Sequence, residues 1–155
     1  LGTWLPQSAR HLVDLYAGVG VLGLAHRARA ERVTLVESHP GAVIDAQRNV
    51  ERLELEGVTV VGKDASVAVQ HVLDAEVDAV ILDPPRAGCA PEVLDAVIAL
   101  ESQPMVIYAS CEPRSLARDL GIPHTIEHCH NVGYGGNQKT CFNHAQINLL
   151  YQQDN

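Results

Sequence analysis

Apolar residues of this chain come in short blocks separated by polar, periodic stretches. HLVDLY (11–16), VTLVE (33–37), VTVVG (58–62), VDAVILD (77–83) and the run up to Ser110 that opens at Pro104 are dense in Val, Ile and Leu. Each is too short for a helix and bounded by Gly, Pro or an acidic residue, which predicts strands buried on both faces. The stretches between them repeat at three and four. Ala42, Ala46, Val50 and Leu53 follow Pro40, and residues 65–73 and 91–100 make two more helices. A last helix starts with Pro113 at its first position and carries Leu116 and Leu120 on one face. Strand–helix alternation at this pace predicts an α/β fold, a Rossmann-like, doubly wound, mostly parallel sheet with helices on both faces.

That unit spans residues 1–120. Residues 1–10 read as a lead-in with Trp4 and Leu5 as a packing pair, and 121–155 as a divergent C-terminal segment rich in Asn, Gln and His.

Composition narrows the partners. The 155 residues carry a net charge of −8, the wrong sign for holding nucleic acid by bulk electrostatics, so a polyanion requires a local basic patch or an additional basic module. No apolar run approaches the ~18 residues of a membrane span and no basic-then-apolar leader opens the chain, so the expectation is a cytoplasmic protein without a membrane partner. A chain beginning at Leu1 is expected to be a piece of a longer one. Cys89, Cys111, Cys129 and Cys141 include no CxxC pair, which signals neither a disulfide framework nor a zinc ribbon. Cys129, His130, Cys141 and His144 fit no standard metal spacing, and no metal is expected.

The candidate chemistry sits where strands end. Asp14, Gly18 and Gly20 form a D-x-x-x-G-x-G pattern at a strand-to-helix turn, where glycines let backbone amides approach a ligand. Glu37 closes the second strand in the slot where an acidic side chain bonds ribose hydroxyls, and Asp64 follows the third, placed to accept from an exocyclic amine. Both positions also suit plain solvated carboxylates. The fourth strand delivers DPPRAGC (83–89), whose two prolines hold an extended loop that presents Asp83 and Arg86. Cys111 stands at the joint of the fifth strand and its helix, facing the first helical amides, where a thiolate forms most readily; as a lone cysteine it also reads as a core thiol.

DLYAGVG (14–20), VES (36–38), GKDA (62–65), DPPRAG (83–88) and VIYASCEP (106–113), in this order, resemble the class I S-adenosylmethionine-dependent methyltransferases, specifically the RNA uracil-5 methyltransferases. The resemblance covers residues 11–120, and its last two motifs are the specific ones. It implies S-adenosylmethionine as cofactor, structured RNA (transfer or ribosomal) as partner, and an additional RNA-binding module. Carried over position by position, it implies Tyr16, Gly18, Gly20, Glu37 and Asp64 at the cofactor, Asp83 beside cofactor and target base, and Cys111 as nucleophile. Asp14 joins the cofactor set from the glycine pattern and Arg86 is the candidate substrate contact.

The resemblance stops after Leu120. The family's general base is a glutamate in a late loop; PHTIE (123–127) is similar to that loop and offers Glu127, whereas HAQINLLY (144–151) is similar to the final segment but puts Gln146, which cannot take a proton, in the acid's place. Glu127 is the candidate base. Glu112 stands where the family often has asparagine. Two alternatives stay open: a small-molecule or amino-group methyltransferase with a structural cysteine, and a non-catalytic cofactor-binding remnant.

Overall fold

A computed structural model describes residues 6–121. Trp4, Leu5, Glu127, Gln146 and the late cysteines and histidines lie outside those residues. The strands are β1 (Ala9–Leu15), β2 (Ala30–Glu37), β3 (Val58–Gly62), β4 (Val77–Leu82) and β5 (Met105–Tyr108). The helices are α1 (Val21–Ala25), α2 (Pro40–Arg52), α3 (Ala65–Val72), α4 (Pro91–Ile98) and α5 (Pro113–Asp119). The sheet has the order β3-β2-β1-β4-β5 and every pairing is parallel, as the alternation of blocks requires.

Side chains alternate between two cores because strand residues face opposite sides in turn. Val13, Leu15, Val36, Val80 and Leu82 pack with Val69, Val72, Val93 and Val97 of α3 and α4. Leu12, Val33, Leu35, Ala79 and Ile81 face the other way, with Ala46 of α2 and Leu22 and Leu24 of α1. Most of these strand side chains are fully shielded, which is why their sequence reads as unbroken apolar runs.

Element ends differ from the sequence reading. The first strand is expected at 11–16 but runs Ala9–Leu15, so part of the expected lead-in is strand. It stops before Tyr16 because that residue takes the left-handed conformation (φ 65) and turns the chain out of the ladder. The fifth strand ends at Tyr108, two residues short of Ser110. α4 ends at Ile98 instead of residue 100, and α5 at Asp119 instead of Leu120.

Candidate active site

Parallel strands bring all their carboxyl ends to one edge. Leu15, Glu37, Gly62, Leu82 and Tyr108 end there, and the chain leaves β1 toward β2 but leaves β4 toward β5. Between β1 and β4 the connections therefore diverge and open a crevice, the place where such sheets bind ligands. Backbone bonds carry the sheet edge one step into the loops: Ala17 N donates to Val36 O (2.9 Å) and Ala109 N to Leu82 O (2.7 Å).

The β1–α1 turn is built for close approach. Gly18 has φ +57, and a Cβ placed on it would meet nothing within 4 Å, so the turn faces open space. Gly20 (φ +88) serves packing instead, since a Cβ there would stand 2.8 Å from Leu35 Cδ1. Glu37 ties this turn to the end of β2, accepting from Gly18 N at 2.9 Å with Oε2 and from His39 N at 2.7 Å with Oε1. Two amides thus fix the carboxylate at the crevice rim while leaving lone pairs for hydroxyl donors.

Asp14 sits beneath the turn. It is 1% exposed, and Oδ2 accepts from Gly23 N at 2.8 Å while Oδ1 has no partner. Burial pushes its carboxyl up to about 7, with Asp83 and Glu37 adding repulsion against the relief from the Gly23 amide. Its observed contact anchors α1 to the sheet, so it acts on the glycine turn from below. Tyr16 is half-buried, and its hydroxyl accepts from Ala90 N at 3.4 Å across the crevice.

Asp64 follows β3 as expected, but its bonds are local. Oδ1 accepts from Ser66 N (2.9 Å) and Ser66 Oγ (2.6 Å), capping α3. Those bonds hold its carboxyl below the usual range.

On the other side of the crevice, Asp83 N reaches Leu15 O at 3.4 Å. The residue is exposed, yet the sheet edge behind it desolvates its carboxyl enough to raise its pKa. The following loop is pinned to α5. Gly88 N donates to Pro85 O (2.8 Å), Ser115 Oγ to Arg86 O (2.5 Å) and Arg118 to Ala87 O (2.7 Å). Asp119 Oδ2 accepts from Cys89 N (2.8 Å) and from the Tyr108 hydroxyl (2.5 Å), while Oδ1 accepts from Arg118. Burial alone would raise the Asp119 carboxyl; the Tyr108 hydroxyl, the Cys89 amide and Arg118 outweigh it and leave it below the usual range.

Asp119 and Tyr108 are not singled out by sequence, because their partners lie in other blocks and no spacing announces them. Gly88 (φ +87) is required by the same clamp: a Cβ there would collide with the Arg118 guanidinium and stand 2.5 Å from Asp119 Oδ2. Gly88→Ala is expected to cost roughly 2–4 kcal/mol in chemical denaturation, the sum of left-handed strain and a broken clamp.

The described thiols divide sharply. Cys89 is buried against Tyr16 and Tyr108, and burial pushes its thiol up to about 11. Cys111 is exposed, so it is not a core thiol. Ser110 explains the exposure: its hydroxyl donates to Glu112 O (3.0 Å) and accepts from Glu112 N (3.1 Å), folding the backbone into a bend with Cys111 at its tip. The expectation that Cys111 meets the first amides of α5 needs correction. Glu112 Oε1 accepts from Arg114 N at 3.2 Å and serves as the cap.

The family model described as conserved hypothetical protein 95 matches residues 3–142. The chain belongs to that family. Uncharacterized RNA methyltransferases from Listeria monocytogenes (39% identity over 113 residues, 72% of this chain and 24% of that protein) and Gloeobacter violaceus (40% over 110 residues, 70% and 23%) are among its relatives. The chain thus spans about a quarter of the length of the curated relatives it matches. Among solved structures it is similar to the Pyrococcus abyssi tRNA (uracil-54, C5)-methyltransferase in complex with S-adenosyl-L-homocysteine, with 27% identity, TM-score 0.65, and coverage of 79% of this chain and 29% of that one. It is also similar to a conserved hypothetical protein from Streptococcus pyogenes, with 28% identity, TM-score 0.59, and coverage of 66% and 68%. The fold of this family member is thereby the Rossmann-like methyltransferase fold.

Proposed function

We propose that the chain is the catalytic domain of an S-adenosylmethionine-dependent RNA methyltransferase that modifies carbon 5 of uridine through a covalent adduct on Cys111. The observation that carries this reading is the exposed thiol at the end of β5, on the same sheet edge as Asp83 and the glycine turn. The RNA methyltransferase names of the relatives support the substrate class, and the likeness to a tRNA uracil-C5 enzyme supports the target atom.

The cofactor fits the β1–β2 side. Gly18 leaves its outer face open, and Glu37, held by two amides, offers both oxygens to ribose hydroxyls. Asp14 keeps the turn seated, and Asp64 lies at the neighbouring strand end. S-adenosylmethionine supplies the methyl group as an electrophilic sulfonium.

Carbon 5 of uracil is too weak a nucleophile by itself. As a thiolate, Cys111 Sγ adds to carbon 6, and the electrons of the carbon 5–carbon 6 double bond move toward the carbon-4 carbonyl as an enolate. Carbon 5 would then bond to the methyl carbon in line as the methyl–sulfur bond breaks, its electron pair passing to sulfur and S-adenosylhomocysteine leaving. Loss of the carbon-5 proton to a base returns the electron pair to the ring and expels the thiolate. In this reading Glu127, outside the described residues, takes that proton, and Asp83 orients the ring from its clamped loop.

Mixing the protein with S-adenosylmethionine and an RNA hairpin carrying 5-fluorouridine tests the reading, because fluorine cannot leave as a proton does and the adduct persists on a denaturing gel. An adduct is expected; methylation at another atom with no adduct overturns the proposal in favour of amino-group chemistry. The cofactor half is tested apart from turnover. Glu37→Ala is expected to weaken S-adenosylhomocysteine binding in calorimetry by about 10- to 100-fold through loss of charge-assisted bonds to the ribose and of the turn's anchor. Unchanged affinity would place the ligand elsewhere.

A further inference from the structure

The cations of this acidic domain are not distributed evenly in their pairing. At the amino ends of the strands, Arg10 is bound to Asp78, and Arg32 to Asp74 and Glu76. Arg27 is engaged by backbone carbonyls, Arg48 pairs with Asp45 and Arg118 with Asp119. Among the described residues, Arg52, Lys63, Arg86 and Arg114 remain without a side-chain partner, whereas Arg29 is engaged in an interaction. Arg52 lies in the last turn of α2, far from the crevice edge; Lys63, Arg86 and Arg114 follow β3, β4 and β5 at the crevice edge itself.

Two of these belong to elements that are bonded to each other. Ser115 Oγ bonds Arg86 O and Arg118 bonds Ala87 O, so α5 is bonded to the loop that carries Arg86. Arg114 precedes Arg118 by one helical turn on one face of α5, and both are exposed while Ser115 and Ala117 are buried. Cys111 lies three positions before Arg114, and Asp83 three before Arg86. Two exposed arginines without a side-chain partner thus stand close in sequence to the candidate nucleophile and to Asp83, on a loop and a helix that are bonded to each other.

We infer that Arg86 and Arg114 form a two-point clamp for backbone phosphates of the RNA, gripping the nucleotides on either side of the base presented to Cys111. The inference rests on the RNA reading above and adds to it the phosphate-binding device. A domain of net charge −8 repels a polyanion at long range, so its grip has to come from local, bidentate contacts. Arginine suits such contacts, because its planar fork matches two phosphate oxygens. Asp83 and Glu112, on the same rim, leave the clamp little tolerance for a misplaced phosphate and so favour one register of the strand.

Salt dependence reads the clamp directly. A fluorescently labelled hairpin RNA with uridines in its loop is titrated with the full chain by anisotropy over a range of salt concentrations. Each phosphate contact contributes about one unit to the slope of log affinity against log salt. Arg86→Gln and Arg114→Gln are each expected to lower that slope by about one unit, and the double variant by about two, with an affinity loss of about tenfold per arginine at low salt. S-adenosylhomocysteine affinity in calorimetry should stay at the wild-type value, showing that the fold and cofactor side are intact. Arg52→Gln should keep the wild-type slope.

A wild-type slope in the double variant overturns the clamp, as does an equal loss in Arg52→Gln or a wild-type chain that does not bind the hairpin. The two readings fail differently. A reduced slope in the double variant with no adduct on fluorouridine RNA overturns carbon-5 chemistry and leaves the clamp standing; an adduct with an unchanged slope does the reverse.

Discussion

Cys111→Ala is expected to abolish the gel-stable adduct with 5-fluorouridine RNA and to lower methyl transfer at least about 10⁴-fold, with S-adenosylhomocysteine binding unchanged. The magnitude follows from the role: without a nucleophile at carbon 6, carbon 5 keeps the low reactivity of a neutral pyrimidine, and binding and orientation alone remain. Because Cys111 is exposed at the tip of a bend and fills no core space, its truncation leaves no cavity, so lost turnover cannot be attributed to unfolding. Cys89 is the matching control. It is buried, its thiol is pushed up to about 11 by that burial, and alkylating reagents should label Cys111 first among the two. Turnover in Cys111→Ala equal to wild type would sink the covalent mechanism and favour a methyltransferase that needs no thiol.

The second large effect is expected from Asp14, and it falls on stability. Its carboxyl titrates near 7 in the folded protein against about 4 in the unfolded chain. Between those values the folded state holds the extra proton, so stability falls as pH rises through this window, and the full penalty is present above pH 7. The total is on the order of 4 kcal/mol, of which about 3 falls between pH 5 and pH 8. Thermal melts of wild type and Asp14→Asn at these two pH values should show the wild type losing about 10 °C relative to the variant on going to pH 8. The asparagine keeps an oxygen for Gly23 N and has no proton to lose. Parallel melting curves at both pH values would mean that Asp14 is neutralised by other means in the folded chain.

Much of this architecture was legible from the residues. Blocks such as VTLVE and VDAVILD announced buried parallel strands because both faces of the sheet are covered, leaving no polar position to break the run. Pro40, Pro91 and Pro113 marked helix starts, since a proline at the first turn gives up an amide that had no partner anyway. Glu37, the glycine turn and Cys111 were singled out by their places at strand ends, and a parallel sheet brings all such ends to one edge.

Other features could not be seen in one dimension. The roles of Asp64 as a helix cap and of Glu112 in taking the α5 amide depend on side-chain rotamers, which decide whether a carboxylate turns to its own helix or to the crevice. The Asp119 clamp joins β5, the Asp83 loop and α5 across thirty positions, and Tyr108 looks from its sequence like one more strand residue.

By itself, the sequence determined the order and type of the elements and the edge where the chemistry gathers, because hydrophobic periodicity and proline and glycine stereochemistry act locally. Only the tertiary structure decided which thiol is open to a substrate, which carboxylate is buried with one oxygen left without a partner, and which arginines are left unpaired. Those properties are set by what packs against each group from elsewhere in the chain, where solvent is excluded and charges meet.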